Sequence, residues 1–150
     1  MAAIESQTFT SAEALVARGR ELARELPAFS VLVLVGDLGA GKTTLMKGVA
    51  EGWDVARAEE VTSPTYTLIH EYRRGHRSLY HVDLYRIETG AQRATLPLDD
   101  LLRPPASGEH KLVAIEWGER IEAELPRPYL RLELDAPDPD RRCLRLVWRG

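Results

Sequence analysis

Residues Val31 to Val35 form an unbroken apolar run that ends directly on the glycine-rich stretch GDLGAGKTT, Gly36 to Thr44, and a helix-patterned segment, LMKGVAEGW, follows at once. A mostly β-branched run of this kind suits a strand covered on both sheet faces, and such strands belong to α/β layouts. The pattern G-x-x-x-x-G-K-[ST] is met by Gly36, Gly41, Lys42 and Thr43. At a strand-to-helix junction the spacing has a physical reason. Glycines let consecutive backbone N–H groups turn inward around an anion, and the positive end of the next helix strengthens the field. Gly36, Asp37, Leu38, Gly39, Ala40, Gly41, Lys42, Thr43 and Thr44 are therefore the candidate nucleotide-binding residues. Lys42 would reach the β- and γ-phosphates and the Thr43 hydroxyl would take Mg²⁺.

Around this junction the chain alternates helix and strand patterns. Thr10 with Glu13 is a capping-box signature, and apolar positions from Ala12 to Leu26 recur at helical spacing. They predict a helix over Ser11 to Leu26, punctuated by Pro27. The helix after the glycine loop should run about ten residues and stop near Gly52. TLIHEY and LYHVDLY flank RRGHRS, where Gly75 permits the reversal of an antiparallel hairpin, and on its second arm His81 and Asp83 share a face. Glu88 to Gly108 reads as a connection with short helical stretches near Ala91 to Ala94 and Leu98 to Leu102, broken at Pro104 and Pro105. Leu112 to Ile115 is a second buried run, ending in Glu116 and Trp117. Leu130, Leu132 and Leu134, and then Leu144, Leu146 and Trp148, alternate with polar residues as half-buried antiparallel strands do, with DAPDPD between them. The expectation is one P-loop ATPase domain over residues 1–150: α/β, a P-loop NTPase-like three-layer sandwich whose mixed sheet carries antiparallel strands.

Magnesium beside a loop threonine usually needs a carboxylate from the end of a neighbouring buried strand. Glu116, in LVAIEW, is the best placed, and Asp83, in YHVDLY, is the second candidate, to bind metal or to orient an attacking water. Lys42, Asp83 and Glu116 are thus the candidate catalytic residues, with Thr43 and Glu116 on the metal. The hydroxyl-rich VTSPTYTL, residues 61–68, reads equally as a loop sensing a γ-phosphate and as an ordinary lead into a strand. Trp117 reads better as a core aromatic than as a phosphate neighbour. The four histidines show no zinc-site spacing, and the lone Cys143 cannot form an internal disulfide. A net charge of -3 argues against a protein that grips nucleic acid through its phosphates. No run approaches the roughly 20 apolar residues of a membrane span, and the first residues lack a basic end, so a soluble, cytoplasmic protein is expected.

GDLGAGKTT at 36–44, SPTYTL at 63–68, YHVDLYR at 80–86 and IEW at 115–117 occur in an order and spacing that resemble the bacterial TsaE family, formerly called YjeE. The resemblance implies an ATP-binding P-loop protein that hydrolyses ATP with Mg²⁺. Its pathway would be formation of N6-threonylcarbamoyladenosine in tRNAs that read codons starting with A. Its partners would be the TsaD and TsaB proteins, whose turnover the ATP cycle supports, with tRNA reached only through that complex and no membrane involved. By the same likeness Thr43 and Glu116 would bind Mg²⁺, Asp83 would belong to the catalytic or switch machinery, and SPTYTL would sense the γ-phosphate. An arginine late in the chain approaches the nucleotide in relatives, and Arg141 is the closest match. After YHVDLYR the chain departs from the family, with Ala91 and Gln92 near an acidic pair and Pro97 near a glycine. The competing expectation is a small-molecule P-loop kinase, with Arg73, Arg74 and Arg77 as a candidate lid, although their position at a hairpin turn favours a solvated tip. A guanine-reading N/T-K-x-D motif is missing, since none of the three lysines precedes an Asp by two residues, so adenine is favoured.

Overall fold

The run at Val31 lies inside the central strand of a seven-stranded sheet. The computed structural model describes residues 4–65 and 68–150, in which strands β1 (Ile4–Phe9), β2 (Phe29–Val35), β3 (Ile69–Arg74), β4 (Arg77–Asp83), β5 (His110–Glu116), β6 (Tyr129–Asp138) and β7 (Arg141–Arg149) are ordered β1-β7-β6-β2-β5-β4-β3. The middle four, β6, β2, β5 and β4, are mutually parallel. The edges are antiparallel: β7 and β1 on one side, β3 on the other. This is the mixed α/β sheet that the alternating patterns predict.

Helices α1 (Ala12–Glu25) and α2 (Lys42–Gly52) cover one face, packing Leu15, Leu22, Leu45 and Val49 against Leu32, Leu34, Leu112 and Leu132. On the other face Val31, Val33, Val113 and Ile115 meet Ile121, Leu125 and Leu101, supplied by a 3-10 segment over Gly118–Glu124 with its C-cap Leu125 and by the one-turn helix α4 (Leu98–Leu101), which follows the equally short α3 (Gly90–Arg93). Because β2 and β5 are buried on both faces, their sequences are continuous apolar runs with no polar alternation. The two helices sit unusually close. A Cβ at Gly48 would collide with the backbone carbonyl of Val16, and one at Gly19 would lie 2.5 Å from the carbonyl oxygen of Leu45.

One boundary and one element differ from the expectation. The cap of α1 is Ser11, whose hydroxyl accepts from the Ala14 N–H at 3.1 Å, one residue beyond Thr10. Strand β1 is a further element that the sequence does not announce. It is exposed along nearly its whole length and is held by the ladder to β7 and by Arg18, which donates to Gln7 and Glu5. The expected hairpin runs from Ile69 to Asp83 with Gly75 at φ +59°, and the loop residues Tyr66 and Thr67, with the expected start of its first arm at Thr67, lie outside the described residues. Among the described residues no helix is long and apolar enough to cross a membrane.

Candidate functional site

Parallel strands deliver their last residues to one edge of the sheet, and at that edge open α/β sheets keep their binding crevices. Here β2 ends at Val35, β4 at Asp83 and β5 at Glu116, with Asp83 and Glu116 as register partners and Leu34 paired with Glu116 on the other side. Asp83 and Glu116 therefore project side by side on the face that carries α1 and α2. Both are buried, at 2% and 3% exposure.

The glycine loop closes over this edge. Gly39 and Gly41 take φ of +81° and +109°, so Gly41 occupies a left-handed conformation that glycine adopts without steric cost, and it is the N-cap of α2. No side chain caps that helix and its first turn holds no acid, so its leading N–H groups and positive end face the cavity without internal compensation. The cavity, about 470 Å³, is lined on this side by Leu38, Gly39, Gly41, Lys42, Thr43 and Thr44. Gly36, Asp37 and Ala40 are not in its lining and shape the loop instead: the Ala40 N–H donates to the Asp37 carbonyl at 3.1 Å, and a Cβ at Gly36 would lie 2.6 Å from the Leu134 carbonyl oxygen.

Lys42 is buried, and its Nζ donates to the Gly36 carbonyl at 2.7 Å, lies 3.8 Å from Glu116 Oε1 and stands 4.4 Å from the centre of the Trp117 ring. Trp117 has φ +62° and packs its indole against Tyr85 at 5.2 Å between centroids, so it belongs to the wall of the site as well as to the margin of the second core. Arg120 fixes the chain beyond β4 by donating to the carbonyls of Leu84, Tyr85 and Ile87. Both oxygens of Asp83 are engaged: Oδ1 accepts from the Tyr85 N–H and Oδ2 from the Thr65 hydroxyl, each at 2.8 Å, and Ser63 Oγ is 2.8 Å from Thr65 Oγ1. Ser63 and Thr65 also line the cavity, which puts the described part of the hydroxyl-rich loop against the acid.

Lys42, Thr43, Asp83 and Glu116, singled out from three separate stretches of sequence, thus line one cavity. Arg141 does not. It is turned outward to Asp138, Nε to Oδ2 2.7 Å, while Arg142 lines the cavity with its side chain beside Gly41. The cause is strand alternation. Arg142 shares a face of β7 with Leu144 and Leu146, toward α1 and α2, and a one-residue offset reverses the direction. The far end of the cavity is formed by Phe9 to Ala12 with Pro139 and Asp140. Arg73, Arg74 and Arg77 sit at the opposite end of β4, roughly 20 Å of extended strand from Asp83, where they meet Glu71, Asp54 and the Trp53 ring. They form no lid over this site.

Oxygen donors are what a small, hard divalent cation takes. Asp83 and Glu116 offer buried carboxyl oxygens, and the Thr43 hydroxyl adds another oxygen donor to the same cavity wall. The set fits Mg²⁺ held together with phosphate oxygens.

Sheet order, the glycine junction and the acids at the strand ends define an α/β protein of the P-loop-like sandwich class. A family model described as threonylcarbamoyl adenosine biosynthesis protein TsaE matches residues 9–144, and the chain belongs to that family. Among curated relatives named tRNA threonylcarbamoyladenosine biosynthesis protein TsaE, that of Synechocystis is 40% identical over 69% of this chain and 63% of its own length. That of Bacillus subtilis is 41% identical over 75% and 65%, and that of Rickettsia bellii 32% identical over 98% of both. The match thus spans just under two thirds of the first two relatives. The crystal structure of Bacillus subtilis YdiB superposes with a TM-score of 0.75 at 31% identity, covering 100% of this chain and 88% of that one.

Proposed function

We propose that this chain binds and hydrolyses ATP with Mg²⁺, and that its nucleotide cycle supports the TsaD and TsaB pair in forming N6-threonylcarbamoyladenosine in tRNAs that read codons starting with A. The observation that carries the reading is the meeting of an uncapped helix N-terminus, a buried lysine and two buried strand-end carboxylates in one cavity. Each alone has a structural use. Together they offer donors for phosphate oxygens and acceptors for the cation that accompanies them.

In this reading the N–H groups of Gly39 to Thr44 receive the phosphate oxygens, and Lys42 leaves the Gly36 carbonyl to meet the outer phosphates. Thr43 and Glu116 hold Mg²⁺, which supplies charge neutralisation on the phosphates when bound. Asp83 orients the attacking water, and Thr65, already bonded to it, relates the loop at 63–65 to whatever occupies the site. Arg142 takes the role expected of Arg141, and the cavity wall from Phe9 to Ala12 receives the base.

The test is hydrolysis of ATP and GTP by the isolated chain and by the chain with the TsaD and TsaB pair. ATP turnover that is slow alone, exceeds GTP turnover and rises with the pair supports the proposal. Rapid transfer of phosphate from ATP to a small metabolite in the absence of the pair would replace it with the kinase alternative.

A further inference from the structure

Beneath the cavity floor lies a contact that neither the sequence motifs nor the family description assigns. His81 is fully buried on β4, two residues before Asp83 and on the same face, and its Nε2 lies 2.6 Å from Glu116 Oε2. The register partner of His81 is Ala114, which has only a methyl to place on that face, so the imidazole can lean to the adjacent Glu116. The other ring nitrogen, Nδ1, is buried and has no hydrogen-bond partner among the described residues. A buried polar side chain usually satisfies all its polar atoms, and this one forgoes half its capacity to make a single short bond. Among the described residues its one partner is Glu116.

We infer that His81 is a positioning residue that locks Glu116 by occupying Oε2, so that Oε1 is held toward Lys42 and the cavity as the metal-facing oxygen. The distances express this division: Oε2 meets His81 at 2.6 Å, whereas Oε1 lies 3.8 Å from Lys42 Nζ, too far for a hydrogen bond and open to a cation. A glutamate has three side-chain torsions to fix, and a partner that removes their freedom before the cation arrives makes the carboxylate a better ligand. His81 touches neither nucleotide nor metal; it acts through Glu116. The inference rests on the proposal that Mg²⁺ and ATP bind here.

Three variants separate a positioning role from simple core filling. His81→Gln keeps an N–H donor near the position of Nε2, His81→Leu keeps bulk without a donor, and His81→Asn keeps an amide too short to reach. Affinity for ATP is measured by calorimetry with Mg²⁺ and with a chelator, and the ratio is the readout, alongside thermal melting of each nucleotide-free protein. His81→Leu and His81→Asn should lose about tenfold or more of the Mg²⁺-dependent gain in affinity, in the range that outer partners of metal ligands command, while chelator affinities stay near wild type. His81→Gln should recover most of the gain. If His81→Leu is too unstable to measure, the Asn and Gln pair carries the same comparison. A wild-type Mg²⁺ gain that persists in both donor-deficient variants, or is lost equally with Gln, overturns the inference and leaves the site reading standing. A wild-type protein without any Mg²⁺ gain overturns the site reading and the inference with it.

Discussion

The ammonium of Lys42 and the carboxylate of Glu116 face one another across 3.8 Å, both about 95% buried, with the Gly36 carbonyl and the Trp117 ring completing the lysine's surroundings. The lysine that should grip phosphate is thus parked against the acid that should grip metal. Each stabilises the other in the cavity wall, and a ligand that brings both a cation and phosphate can take over both halves of the contact without leaving either charge unmatched.

Lys42→Ala and Thr43→Ala should therefore differ in a way that a merely exposed loop would not show. Both should abolish measurable Mg²⁺-dependent ATP binding. Only Lys42→Ala should also destabilise the nucleotide-free protein, by roughly 2 kcal/mol, less than the roughly 3–5 kcal/mol of a wholly enclosed broken pair because the cavity admits water. For a chain of this size that is a fall in melting temperature of roughly 5 °C. Titration calorimetry and thermal melting read the two effects, and wild-type affinity in both variants would defeat the phosphate-loop assignment.

The two acids are not equivalent. Glu116 has one oxygen directed to the cavity, whereas both oxygens of Asp83 are already bonded, to Tyr85 and Thr65. Glu116→Ala is expected to cut Mg²⁺-dependent affinity sharply. Asp83→Asn, which retains an acceptor for the Tyr85 N–H, should leave affinity within a few-fold and slow hydrolysis by about a hundredfold, as loss of a base or water-positioning group does. Equal loss of Mg²⁺ binding in both variants would make them joint metal ligands.

Close packing of α1 on α2 gives a prediction about the scaffold. Because the Val16 carbonyl occupies the space a Cβ would need at Gly48, Gly48→Ala must push the helices apart and should cost about 3 kcal/mol or more. Gly90→Ala, where nothing lies within 4 Å, is the control and should be near neutral. Urea unfolding of both variants decides it, and a Gly48→Ala protein as stable as wild type would show that the helices slide freely.

How much of this could be read from the chain follows from where each signal comes from. Strands β2 and β5 and the loop at Gly36 were legible because burial on both faces and the glycine pattern leave local marks. Glu116 and Asp83 could be nominated because strand-end acids are rare in otherwise apolar runs. Strand β1 was not legible: IESQTF lacks alternation because the strand lies exposed at an edge, held by its backbone ladder to a partner more than 130 residues away. Arg142 was missed in favour of Arg141 because the two differ only in the face they take, which depends on the register with β6. The contact of His81 with Glu116 was not legible because the two are 35 residues apart, and its one local sign was the shared face with Asp83.

The acid limb of stability should carry a mark of the α1–α2 contact as well. Glu51 at the end of α2 accepts from Arg20 at 2.8 Å and from the Ala58 N–H, and the Arg20 bond, ahead of the opposing effect of burial, holds its carboxyl below the usual carboxylate value. A carboxyl lowered on folding contributes stability that is present above its unfolded value, near 4.5, and is lost as pH falls through the lower folded value. Both side chains are partly exposed, so the contribution is under about 1 kcal/mol. Arg20→Gln should flatten the decline of melting temperature below pH 4.5 and lower the plateau above it. An unchanged acid limb would mean the pair is fully screened.

State-dependent partner binding follows from the link between Thr65 and Asp83. That bond ties the loop at Ser63 and Thr65 to Asp83 in the cavity wall, so under the proposed cycle a change at the phosphates would reach the loop through a single hydroxyl. Leu38 and Tyr85, large apolar side chains at the same end of the molecule, are 68% and 40% exposed, which gives a partner something to bury beside the loop. If occupancy is transmitted there, the TsaD and TsaB pair should retain this chain more strongly with ATP or a non-hydrolysable analogue than with ADP, and hydrolysis should accelerate on its addition. Thr65→Val, which removes the hydroxyl and keeps the shape, should leave ATP affinity within a few-fold while the difference in retention between ATP and ADP shrinks by about tenfold, the scale of a hydrogen bond to a charged group. Parallel pull-down and turnover measurements with the three nucleotides provide the check. Retention that ignores the nucleotide in the wild type, or a Thr65→Val protein that still discriminates fully, would remove this hydroxyl from the path between site and partner.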